Sequence, residues 1–81
     1  MMVASAVQVC KRALLATMRA VAVTFGMVLT CTRDSPDRDV VTNFRKLALR
    51  AHPDKPGGSA EQQQRLNEAR ANWEAGRCPG D

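Results

Sequence analysis

Residues 35–55, SPDRDVVTNFRKLALRAHPDK, decide the fold. Ser35 can cap exposed N–H groups, and Pro36 suits the first helical position, where its missing donor costs nothing, so a helix is expected from residue 36. From Asp37 to Ala51 the apolar residues Val40, Val41, Phe44, Leu47, Ala48 and Ala51 fall within about 120° of arc at 100° per residue. That is an amphipathic helix. Pro53 disfavours the helical conformation at His52, and Arg50 in the last turn suits the negative end of the macrodipole, which puts the stop near Ala51. The prolines and glycines of residues 52–58, HPDKPGG, then mark an ordered turn followed by a flexible link, where the chain reverses.

Working toward the C-terminus, Ser59 with Gln62 three residues on has the form of a capping box, in which each side chain bonds the other's backbone N–H. The helix it opens is expected to run to about Ala75, before Gly76. Its inward face is Gln62, Leu66, Ala69 and Trp73, while Arg65, Asn67, Glu68, Arg70 and Glu74 point elsewhere. Two such helices joined by a short turn pack as an antiparallel hairpin. Residues 78–81 have Pro and Gly without periodicity and read as a frayed tail.

Working toward the N-terminus, the charge pattern changes. Lys11, Arg12, Arg19 and Arg33 are the only charged residues before Asp34, so the net charge of +4 lies in that part and the remainder is neutral. The longest uncharged run, residues 20–32, is shorter than the ~20 residues a helix needs to cross a bilayer. An acid-poor, Arg-containing stretch of this kind fits a mitochondrial presequence about as well as a secretory signal. The alternative is an ordinary helix, because Val3, Val7, Cys10, Leu14, Met18, Val21, Phe25 and Val28 recur at spacings of 3 and 4 and form one apolar stripe. The domain division that follows is an acid-free apolar segment at 1–24, helix or leader, a domain at 25–77 and the tail at 78–81.

A chain of 81 residues holds one small core, which excludes a multidomain enzyme. Three cysteines, Cys10, Cys31 and Cys78, with no C-x-x-C pair, argue against a disulfide framework or a zinc site and make a reducing compartment the default.

The run Phe44-Arg45-Lys46-Leu47-Ala48-Leu49-Arg50-Ala51-His52-Pro53-Asp54-Lys55, followed by Gly57-Gly58 and Leu66-Asn67-Glu68-Ala69, resembles the J-domain of the DnaJ family of co-chaperones. The family pattern has an aromatic eight residues before the histidine, a basic pair directly after it, and a Leu/Ile-Asn-Glu-Ala run on the returning helix. Phe25 and Leu29 stand where the family's short first helix has an aromatic and a leucine. Gln63 and Arg70 replace a buried aromatic and a tyrosine, and Thr30 replaces a glycine, so the chain is expected to be a divergent or truncated member.

The resemblance implies an all-α fold, an antiparallel helical hairpin with the His-Pro-Asp loop at its tip and an N-terminal helix packed on or preceding it. It implies docking on a DnaK-class heat-shock chaperone and stimulation of that partner's ATP hydrolysis, with no cofactor, metal or catalytic residue of its own. The partner-binding residues are then His52, Pro53 and Asp54 of the loop, Arg45, Lys46, Leu49 and Arg50 of the basic helix, and Lys55. Physical chemistry agrees: Pro53 pre-shapes the loop, Asp54 offers a carboxylate to an arginine or holds the loop from within, and Leu49 sits among cations where a solvated helix would place a polar group. A small basic helical nucleic-acid binder or structural protein is the rival reading, although the connection is longer than that of a helix-turn-helix and lacks aromatic interleaving. An enzyme would need a nucleophile, a second histidine or a metal cluster near His52 and Asp54. The expected compartment is cytoplasm or mitochondrion.

Overall fold

The structure, a computed structural model, describes residues 6–76. Val3, the side chain of Val7, Cys78 and the tail at 78–81 lie outside that description. Three helices pack together, α1 (Ala6–Phe25), α2 (Asp37–Ala51) and α3 (Ala60–Ala75), with no strand among the described residues. None of these helices is long and apolar enough to cross a membrane.

One core joins all three. Leu14, Leu15, Met18, Val21 and Ala22 come from α1, Val40, Phe44, Leu47 and Ala51 from α2, and Leu66 from α3. Phe25, Ala48, Ala69 and Trp73 pack against its margin. α1 lies against both other helices and most extensively along α3. The expected stripe therefore holds from Cys10 through Val21, but Val28 is 86 % exposed. The reason is that α1 stops before it. Gly26, at φ +67°, takes the left-handed conformation that closes a helix, its N–H donating to the Val23 carbonyl and that of Met27 to the Ala22 carbonyl at 2.8 Å. Phe25 is thus the last residue of α1, and Leu29 lies in the connection beyond it.

The connection is fastened on both sides. Asn43, buried on α2, accepts from the Thr30 N–H at 3.1 Å and the Thr30 hydroxyl at 3.3 Å, and donates to the Asp39 carbonyl. Lys11 of α1 donates to the Ser35 carbonyl at 2.6 Å and pairs with Asp37 at 3.4 Å. Ser35 does not cap α2 as expected. Its hydroxyl accepts from the Thr32 N–H, closing the preceding turn, so Pro36 becomes the N-cap without a side-chain bond and the helix begins at Asp37.

Two expectations about α3 need correction. Ser59 accepts from the Gln62 N–H, but its own N–H donates to the Ala51 carbonyl at 2.8 Å, so the return half of the capping box is not used. Arg70 does not point away from the core. Its guanidinium lies 5.0 Å over the Phe44 ring and is held at 2.9 Å by Glu74, placing a long cation where an aromatic was expected to be missed. The cysteine reading also changes: Cys10 is disulfide-bonded, and Cys31 is free and buried. Spacing without a C-x-x-C pair does not exclude a disulfide, and a disulfide persists in oxidising surroundings, so the reducing default loses its basis.

Candidate functional site

The segment between α2 and α3 consists of two consecutive turns. His52, at φ −57° and ψ 131°, leaves the helix as a residue preceding proline must. The Lys55 N–H donates to the His52 carbonyl at 2.9 Å, closing a first turn around Pro53 and Asp54, and the Gly58 N–H donates to the Lys55 carbonyl at 2.9 Å, closing a second around Pro56 and Gly57. Gly57 at φ +76° behind a proline matches a type II turn, which favours glycine at that position. Gly58 is required for space, because a Cβ there would overlap the His52 carbonyl. The link expected to be flexible is therefore pinned by backbone bonds at each step.

Arg50 braces the same segment. Its Nη1 donates to the Pro56 carbonyl at 3.0 Å, and its guanidinium lies 5.0 Å over the Phe25 ring at the end of α1. The turn is thereby tied to α1 as well as α2. Because this arginine is occupied internally, it is less available to a partner than its place in the sequence suggests.

Within the tripeptide the two polar side chains divide their roles. The Asp54 N–H donates to His52 Nδ1 at 3.2 Å, which for a neutral ring places the proton on Nε2. The Asp54 carboxylate stands 3.6 Å from Nδ1, beyond good hydrogen-bond distance, and is 89 % exposed, while the imidazole is 43 % exposed. The arrangement holds a part-exposed imidazole and an exposed carboxylate side by side on a hydrogen-bonded turn.

Beside it Lys46, Leu49, Arg50, Lys55 and Pro56 line one shallow depression. Leu49 is 61 % exposed. Lys46, Arg45 and Lys55 are exposed and make no side-chain hydrogen bond or ion pair among the described residues. Of the residues expected to bind a partner, Lys46, Leu49, Arg50 and Lys55 thus meet in one place, Pro53 and Asp54 are exposed at the adjoining turn, and Arg45 faces solvent outside the depression. Sequence reading missed Pro56 as part of the lining and Phe25 as the support of Arg50. The second proline of the turn was a readable signal; the Phe25 contact, across 25 residues of chain, was not. No family model, curated protein or solved structure matches the chain.

Proposed function

We propose that this chain is a co-chaperone module of the J-domain kind, which docks on a DnaK-class heat-shock chaperone and stimulates its ATP hydrolysis. The observation that carries the reading is the rigid His52-Pro53-Asp54 turn, its carboxylate turned outward, next to a depression in which an exposed leucine is flanked by Lys46 and Lys55. Exposed cations steer an acidic partner and set its orientation, and a central apolar side chain supplies contact once water is expelled. In this reading α2 and α3 form an antiparallel hairpin with the turn at its tip, supported by the Ser59–Ala51 backbone bond and the Arg70–Phe44 stacking. His52, Pro53, Asp54, Arg45, Lys46, Leu49 and Lys55 meet the partner, and Arg50 keeps the turn in place. The module itself carries out no catalysis and takes no cofactor. Imaging a tagged full chain decides between cytoplasm and mitochondrion, and the Cys10 disulfide weighs against a reducing cytoplasm.

The test is single-turnover ATP hydrolysis by an added DnaK-class chaperone, with the wild-type chain and His52→Gln. Stimulation by the wild type and its loss in the variant, with helix content and melting temperature nearly unchanged, is the expected result, since a half-exposed side chain on a turn carries few core contacts. Stimulation that survives the substitution would refute the docking role of His52. A salt-dependent shift of duplex DNA together with no effect on the chaperone would instead favour the nucleic-acid reading.

A further inference from the structure

A second concentration of charge lies on α1 and the connection that follows it. Within α1, which has no acidic residue, Arg12, Ala16, Arg19 and Val23 are spaced 4, 3 and 4 and form one ridge. All four are exposed, Val23 at 80 %. Arg33 joins this ridge: it lines one open depression with Arg12, Arg19 and Asp34, and a neighbouring one with Lys11, Arg12 and Asp34. Among the described residues the side chains of Arg12, Arg19 and Arg33 enter no hydrogen bond or ion pair, whereas Lys11, Arg50 and Arg70 are each committed to an internal partner. Asp34 offsets one of the three charges. The rest of the positive charge faces solvent and contributes nothing to the core.

We propose that this ridge, with Arg33, is a docking surface for an anionic lipid bilayer. A convex helix face flanked by open depressions suits a plane better than it suits an extended peptide. Arginines on such a face pair with headgroup phosphates and carboxylates while their stems lie against apolar atoms. Among the described residues Val23, at the end of the ridge, and Val28, just past α1, are the two most exposed large apolar side chains, and Val23 stands on the ridge itself, where it can enter the headgroup region. Nucleic acid would use the same arginines but has no use for exposed valines, and the ridge carries no aromatic side chain on which a base could stack. None of the residues lining these two depressions lines the one at Lys46 and Leu49, so the surface is independent of the chaperone reading.

Each basic group held near an anionic leaflet raises partition by about fivefold, so three together contribute roughly a hundredfold, declining as added salt shortens the screening length. The experiment is co-sedimentation of the full chain with vesicles of phosphatidylcholine alone and of phosphatidylcholine mixed with phosphatidylserine, at low and high salt. The variant Arg12→Ala/Arg19→Ala/Arg33→Ala is compared with Arg45→Ala/Lys46→Ala/Lys55→Ala, which removes the same charge from the other surface, and with the charge-keeping Arg12→Lys/Arg19→Lys/Arg33→Lys. Circular dichroism checks that each variant is folded. Binding to the phosphatidylserine vesicles alone, lost by about a hundredfold only in the first variant and weakened by salt, is the expected result. Equal loss in the first two variants would reduce the effect to net charge and overturn the proposal. Failure to bind phosphatidylserine vesicles would also overturn it, as would tighter ridge-dependent capture of a duplex oligonucleotide.

Discussion

Leu47 and Leu49 are the same residue on the same helix two positions apart, and the structure assigns them opposite consequences. Leu47 is fully buried within the cluster shared by the three helices, whereas Leu49 is 61 % exposed. Replacing a buried leucine by alanine removes three carbons from the core, a transfer loss of about 2.4 kcal/mol at ~0.8 kcal/mol per methylene, to which a residual cavity adds. The total for Leu47→Ala is about 2.5 to 5 kcal/mol. At roughly 0.05 to 0.15 kcal/mol per residue, a domain of 81 residues has only ~4 to 12 kcal/mol to lose. A domain of this size shifts its melting temperature by ~4 to 8 °C per kcal/mol, so Leu47→Ala should melt at least about 10 °C lower or be unfolded at room temperature. Leu49→Ala exchanges one strong helix former for another at a solvated position and should stay within about 0.5 kcal/mol of the wild type. Thermal melts followed by circular dichroism measure both. Equal destabilisation by the two substitutions, or a Leu47→Ala midpoint within a few degrees of the wild type, would refute the placement of the core.

Reversing charge with Arg45→Glu/Lys46→Glu should slow association with a DnaK-class chaperone and flatten its salt dependence without changing the melt, as stopped-flow binding at several ionic strengths would reveal. Asn43→Ala should cost about 1 to 3 kcal/mol, because it leaves the Thr30 N–H without its acceptor, and amide exchange at Thr30 should accelerate; unchanged exchange there would show that the connection is held some other way. Burial raises the Cys31 thiol above its ordinary 9.0, so the unfolded chain ionises first as pH rises. The contribution is intact below pH 9.0 and is lost at higher pH, so urea midpoints should decline there in the wild type more steeply than in Cys31→Ala. An identical decline in both would exclude the thiol as its cause.

Much of α2 and α3 was legible because several local signals agreed. Amphipathic period, Pro53, Ser59 and Gly76 predicted helices over 36–51 and 60–75, and the helices span Asp37–Ala51 and Ala60–Ala75. What escaped were features that a distant residue decides. Asn43 reads as a polar position on a helix until Thr30 is brought against it, and Arg70 reads as solvated until the Phe44 ring comes beneath it. The end of α1 was hidden for a different reason: Val28 continues the spacing of the stripe past Gly26, and periodicity carries no information about a left-handed residue that closes the helix first. At the candidate site the composition of the turn was readable, but its rigidity was not, because that depends on Gly58 packing against the His52 carbonyl and on Arg50 reaching Phe25.

That last contact bears on what α1 does. The stripe from Cys10 to Val21 suits a targeting leader and a core helix equally well as a sequence pattern, but the two roles compete for the same side chains. A leader works exposed and is removed; here Leu14, Leu15, Met18, Val21 and Ala22 are buried together with residues of α2 and α3. Removing residues up to about 30 would take these five from the core, along with Phe25 beneath Arg50 and the Thr30 anchor of Asn43. What remained of the core would be Val40, Phe44, Leu47 and Ala51 facing little more than Leu66 and the half-buried Ala69 and Trp73. Chains this short already depend on nearly every apolar contact they make, so such a remnant would lack the burial needed to offset the entropy of ordering two helices. The turn would be affected as well, since Arg50 would keep its bond to the Pro56 carbonyl but lose the ring that holds its guanidinium in place. In this fold α1 therefore supports the His52-Pro53-Asp54 turn through the Phe25 ring beneath Arg50, and a chain that gave it up would give up that support and, with it, the proposed docking surface.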